Sequence, residues 1–189
     1  MATVITHAVV GVALGRASTW RRLPARFWVL AVVCSMLPDA DTISFHLGLT
    51  YGSVFGHRGF THSLLFAAIV AALVTVLAFR KLPDFSRRWH GMFASFFFII
   101  ASHGVADGLT NGGLGVAFFS PFDLTRYFLP WRIIQVAPIG LDGFFGRWGW
   151  EALRSEMLWT WLPMAGVVAI SMAARAVTRR LRTSPPPNV

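Results

Sequence analysis

The sequence predicts an all-α, polytopic membrane bundle: about five membrane-embedded helices, some of them short, with an aromatic-rich interfacial segment. Three observations lead there. Hydrophobic residues make up 55% and charged residues only 13% of the 189 positions, where a soluble domain carries roughly 25% charged residues. The apolar residues are gathered into runs. Arginine and lysine fall in clusters between alternate runs. The length suits one domain, here residues 1–182, with a disordered tail over 183–189 that contains Pro185, Pro186 and Pro187.

The first run, Ala2 to Gly15, is apolar apart from Thr3, Thr6 and His7. No basic segment precedes it, so it does not read as a secretory signal, and residue 1 onward is taken as mature protein. The second run is Phe27 to Leu37, ended by Pro38. Both fall short of the roughly 20 residues that cross a bilayer core. They suit a hairpin that dips into the membrane, or helices lengthened by amphipathic ends. Leu64 to Phe79 and Gly91 to Val105 come closer to spanning length, and Met157 to Val177 is the clearest span, with Pro163 as a point of kinking. Between the last two runs, 108–156 scatters Phe118, Phe119, Trp131, Phe144, Trp148 and Trp150 among glycines and prolines. That composition fits a headgroup-level position or a small folded cap, and the two are compatible. Cys34 is the sole cysteine, so no intrachain disulfide forms.

A net charge of +9 would suggest nucleic acid in a soluble protein. Here it has a topological reading, so membrane lipids are the expected partners and nucleic acid is not. The clusters Arg16/Arg21/Arg22/Arg26, Arg80/Lys81/Arg87/Arg88 and Arg175/Arg179/Arg180/Arg182 all fall on one side if every run crosses. The positive-inside rule makes that side cytoplasmic. The expectation is five passes, with the N-terminus outside and the C-terminus inside.

The other side collects the chemistry. His7 lies near the outer end of the first run, and Asp39 and Asp41 lie where the second emerges. His57 and His62 precede the third, and His103 and Asp107 end the fourth, four residues apart on one helical face. Seven His and Asp side chains from four segments thus share one membrane level. Charged groups at that depth line a site or pair with one another. Each has a plainer reading: Thr6 as a helix-start cap beside His7, a turn at Pro38-Asp39, a polar turn capped by Thr61 around His57 and His62, a His103–Asp107 hydrogen bond. Together they suit one or two divalent ions, with Asp39 or Asp41 as ligand, bridge or general base. Arg58 would face an oxyanion, or else snorkel to lipid headgroups. His46 and His90 stand outside the set.

Thr6-His7 with Gly11, Leu37-Pro38-Asp39-Ala40-Asp41, His57-Arg58-Gly59-Phe60-Thr61-His62-Ser63, and Ser102-His103 with Asp107 and Thr110 resemble the YdjM family of bacterial inner-membrane proteins. Ser120-Pro121-Phe122 and Val136-Ala137-Pro138-Ile139-Gly140 extend the likeness. The family, which has a LexA-regulated member, is described as membrane-bound metal-dependent hydrolases. More distantly, His103 and Asp107 with an upstream Asp and His are similar to the zinc-dependent phospholipase C and S1/P1 nuclease group. The chain lacks the further downstream His and Glu of that group's three-zinc site, which leaves one or two ions. The resemblance implies a zinc-dependent hydrolase of the inner membrane, with its site on the extracytoplasmic side. His7, Asp39, Asp41, His57, His62, His103 and Asp107 would hold metal, and Asp39, Asp41 and Arg58 would act in catalysis. A lipid or lipid-linked phosphoester fits as substrate. A non-catalytic metal-binding role in interaction or stress response is the alternative, and transport ranks last because the polar residues lie only at one end.

Overall fold

The computed structural model describes residues 1–18 and 23–183. Arg21, Arg22 and Pro185 to Pro187 lie outside them. The described chain is helical, with no strand: α1 (Val4–Ala17), α2 (Ala25–Met36), α3 (Ile43–His46), α4 (Leu64–Ala78), α5 (Arg87–Gly108), α6 (Leu141–Phe144), α7 (Arg147–Glu156) and α8 (Leu162–Thr183). Short 3-10 turns at Leu37–Thr42 and Phe60–His62 flank the α2 and α4 ends, and a π-helical turn, Met157–Trp161, joins α7 to α8.

Three of the apolar runs start at a small hydroxyl side chain, while α2 starts at Pro24 without a side-chain cap. Thr3 caps α1 by accepting from Thr6 N, Ser63 caps α4 at Phe66 N, and Ser86 caps α5 at Trp89 N, each satisfying one of the free N–H groups of a first turn. Two expectations are corrected here. Thr6 is not the cap of α1 but lies inside it, and Thr61 is not the cap of α4, since Ser63 takes that place. The irregularity expected at Pro163 takes the form of the π-helical turn directly before α8. Proline supplies no N–H to the carbonyl four residues back.

Helices α1 and α2 pack closely, as do α4 and α5, with α1 also against α5 and α8. The first contact is tight: a Cβ on Gly11 would lie 2.8 Å from Ser35 Cβ. Phe27, Ala31 and Cys34 from α2, Ala67 and Ala71 from α4, and Met92, Phe96, Ile99 and Ile100 from α5 form the buried core. The outer faces stay apolar: Val29, Leu73, Phe98, Leu162 and Ile170 are all more than half exposed. A shell of hydrocarbon around a hydrocarbon core is the pattern of a lipid-facing bundle. Three helical segments are long and apolar enough to cross a membrane: 25–46, 87–108 and 147–180. The other two are shorter. The 14 residues of α1 rise about 21 Å at 1.5 Å per residue, against a hydrocarbon core of about 30 Å.

Beyond α5 the chain folds back over the end of the bundle. Val116 and Tyr127 exchange both backbone hydrogen bonds at 2.9 Å, and Leu64 N and Ala117 N bond Phe118 O and Arg58 O. The aromatic-rich segment is therefore a folded cap seated on the loop that precedes α4. The α1 N-terminus, α2 C-terminus, α4 N-terminus and α5 C-terminus all meet beneath it.

Candidate metal centre

Five side chains converge at that meeting point. Asp39 comes from the 3-10 turn after α2, His7 from α1, His62 from the turn before α4, and His103 and Asp107 from the last two turns of α5. All are buried, none more than 7% exposed. One ligand atom from each of Asp39, His62, His103 and Asp107 lies within 4.8 Å of the others. His103 Nε2 is 3.3 Å from Asp39 Oδ1, and His62 Nε2 is 3.8 Å from Asp39 Oδ1 and 3.6 Å from Asp107 Oδ2. His7 Nε2 lies 3.6 Å from Asp107 Oδ1, and its ring stacks on His103 with centroids 3.5 Å apart.

All of these separations but His103–Asp39 are too long for hydrogen bonds. They match the spacing of ligands around one ion: bonds of about 2.0–2.1 Å in tetrahedral geometry place ligand atoms about 3.3 Å apart. The decisive observation is what the atoms lack. His7 Nε2, His62 Nε2, His103 Nε2 and both oxygens of Asp39 are buried without a hydrogen-bond partner. One such group is costly, and five facing one point is a donor set that a cation completes. Charge gives the same answer. Asp39, Asp41 and Asp107 are buried together, with Arg58 and the chain's N-terminal ammonium as the cations beside Asp107. Three carboxylates at one buried point could hold a cation.

The rings are held ready. His103 Nδ1 lies 2.7 Å from Ser35 O, which makes Nδ1 the donor and turns the Nε2 lone pair inward. His62 Nδ1 lies 3.1 Å from both Asp41 Oδ2 and Thr61 Oγ1, with the same effect. Burial works against protonation of His62, yet the Asp107 and Asp41 carboxylates outweigh it and hold its pKa up to about 9.

Asp41 and His57 sit differently from the other expected ligands. His57 Nδ1 is 2.6 Å from Asp41 Oδ1, a hydrogen bond too short to share an ion between the two atoms, while Asp41 Oδ2 accepts from Arg58 N and the Thr61 hydroxyl. A group of Asp41, His57 and His62 is close enough to be read as a second ion site. In that group both Asp41 oxygens are hydrogen-bonded, one of them beside His62, while His57 Nε2 is buried without a partner. Arg58 also departs from expectation. It is fully buried, with Nε 2.9 Å from Asp107 Oδ2, NH1 2.9 Å from Gly112 O and NH2 3.1 Å from Thr110 Oγ1. The guanidinium neither snorkels nor faces open space; it anchors Asp107. Its backbone is left-handed, φ 60°, a strained state for a side-chain-bearing residue that recurs at functional sites. Gly113 makes room for it, since a Cβ there would lie 2.8 Å from Arg58 NH1. His90 lies exposed at the far end of α5 and His46 on the exposed end of α3, both outside the centre as expected.

Sequence reasoning missed two residues. Glu156 is fully buried and accepts from Thr3 N and the hydroxyls of Thr3 and Thr6, locking α7 onto the first turn of α1. A carboxylate at the edge of the clearest apolar run was a usable signal. Arg126 pins the His57 loop by donating to His57 O and Tyr51 O, and nothing in its local sequence marks it.

The fold and the centre define a class: a multi-helix membrane protein with a buried His/Asp group at one end of its bundle that could hold a metal ion. A family model for YdjM inner membrane proteins matches residues 1–177, and the chain belongs to that family. It is 40% identical over 168 residues to inner membrane protein YbcI of Escherichia coli (strain K12), covering 86% of this chain and 92% of that one. No solved structure matches it.

Proposed function

We propose that this protein is a metal-dependent hydrolase of the inner membrane, acting on a phosphoester of a lipid or lipid-linked phosphate. The observation that carries the reading is the set of five unpartnered, buried donor atoms on Asp39, His7, His62 and His103, with Asp107 beside them. Three imidazoles and carboxylates suit zinc. A divalent ion bound there supplies Lewis acidity toward a phosphoryl oxygen and acidifies water. The chain's own part is to hold that ion, orient it and handle the proton. Asp39 has both oxygens free of other partners, so it is the candidate to ligate through one and accept a proton at the other. Asp41 and His57 keep His62 in the ligating tautomer. Arg58 fixes Asp107 and lowers the charge of the site.

Metal analysis of the purified protein, paired with phosphate release from lipid phosphoesters, tests this. About one zinc or similar ion per chain and turnover abolished by His103→Ala are expected, and a protein that binds no divalent ion ends the reading. Near-complete burial favours a second reading, a closed metal staple without turnover. It predicts that Asp39→Asn lowers thermal stability while no phosphoester is cleaved by either form.

Orientation follows from charge. Arg16, Arg26, Arg80, Lys81, Arg87, Arg88 and Arg175 lie at or next to helix ends opposite the centre, which under the positive-inside rule supports a centre outside the cytoplasm. Reporter fusions after Arg88 and Arg180 should report cytoplasmic positions; the reverse result overturns the orientation and leaves the metal chemistry intact.

A further inference from the structure

Of the five residues that face the centre, Asp39 is the one that also lines a described cavity. That cavity, about 840 Å³, is within the range of about 300–1,000 Å³ typical of ligand pockets. Its walls are hydrocarbon: Val4 and Ile5 from α1, Phe45 from α3, and Pro138, Ile139 and Phe144 from the cap. The polar residues it touches are mostly engaged. The Thr3 hydroxyl is bonded to Glu156, and the Thr42 hydroxyl to Asp39 O. Against that stand the two Asp39 oxygens, buried and unpartnered, with His46 exposed at the rim. The cavity is therefore a greasy chamber whose polar end carries the Asp39 carboxylate, with Met1 and its ammonium also in the lining.

We propose that this chamber binds one hydrocarbon chain of a lipid phosphomonoester taken from the surrounding bilayer, with the phosphate directed to the Asp39 end. Two features select such an occupant over a water-soluble one. A free sugar or nucleotide phosphate would find almost no hydrogen-bonding partner along walls that must desolvate it, whereas a chain gains about 0.8 kcal/mol per buried methylene. Phe45 and His46 also end the apolar segment 25–46, so the cavity opens where a spanning helix leaves the membrane and where lipid headgroups lie. Phe45, Ile139 and Phe144 then become the residues that set chain preference. Calling the lipid a substrate rests on the hydrolase reading above, and seating its phosphate beside Asp39 rests on a cation at that end; the chain's place in the cavity rests on neither.

The test uses the full zinc-loaded chain in nanodiscs with a long-chain lysophosphatidate carrying a diazirine near the chain end. Photolysis and peptide mapping should place adducts on Phe45, Ile139 or Phe144, displaced by excess unlabelled lysophosphatidate. Ile139→Asp should reduce these adducts at least about tenfold with zinc content unchanged. Phe45→Trp, a milder change in case the charged variant fails to fold, should shift competition toward shorter chains. Adducts confined to the outer faces of α4 and α8, or undiminished in both variants, overturn the proposal. Cavity adducts that compete, in a protein that releases no phosphate from any lipid, would uphold the chain site while defeating the hydrolase reading.

Discussion

Asp39 and Asp41 are two residues apart in the same turn, buried alike, and do opposite things. Asp39 presents two unpartnered oxygens to three imidazoles. Asp41 has each oxygen committed, one to His57 and the other to Arg58 N, Thr61 and His62. The histidines divide by place: His7, His62 and His103 aim Nε2 at the common point, while His57 gives Nδ1 to Asp41 and keeps its own buried Nε2 without a partner. Residue type does not separate the two carboxylates; the satisfaction of their oxygens does. A centre of open donors surrounded by a closed hydrogen-bonded frame is the division seen between metal ligands and the groups that orient them.

The sharpest way to break this comparison is to remove a proposed ligand. His103→Ala or His62→Ala should abolish metal retention, read by metal analysis after gel filtration, with loss of any hydrolysis. If His57→Ala abolishes it equally, His57 is a ligand and the division fails. Next in size is the frame's anchor. Arg58→Ala leaves Asp107 buried beside Asp39 without its cation, and breaking such a pair costs about 3–5 kcal/mol. A large drop in thermal stability is expected, with partial rescue by added zinc through mass action; an unchanged melting temperature would show that Arg58 does not carry the charge balance. Asp41→Asn should weaken metal binding about 10–100-fold without abolishing it, the usual effect of losing a partner that orients a ligand, measured by competition with a chelator. Ser63→Ala removes the α4 cap and should cost about 1 kcal/mol with metal content intact, whereas Thr61→Ala should weaken metal through Asp41 and leave α4 alone. His90→Ala, at the far end of α5, should change none of these readouts.

The same contrast explains how much of the site could be read in advance. His103 and Asp107 share a face because four residues make about one α-helical turn, so their pairing needs no tertiary information. Asp39 and Asp41 sit in a 3-10 turn, where three residues complete a revolution and neighbours two apart point about 120° from each other. Sequence spacing marks both as candidates and cannot say which faces inward. Arg58 reads as an oxyanion binder because arginine commonly is one. Its left-handed backbone and the space left by Gly113 turn it instead toward Asp107, and neither is visible along the chain. Glu156, 153 residues from the Thr3 N–H it accepts from, enters the site only once α7 and α8 are folded against α1.

By itself the sequence determined the helices, the basic clusters at one end and the His and Asp residues at the other, because hydropathy, periodicity and charge act locally along a chain; which hydroxyl caps each helix was settled by the backbone at Thr3 and Ser63. The tertiary structure decided which of those polar atoms remain unsatisfied. That depends on helix rotation, on the 3-10 turns and on a cap that closes over the bundle, and it is the unsatisfied atoms of Asp39, His7, His62 and His103 that turn a polar cluster into a place for a metal ion.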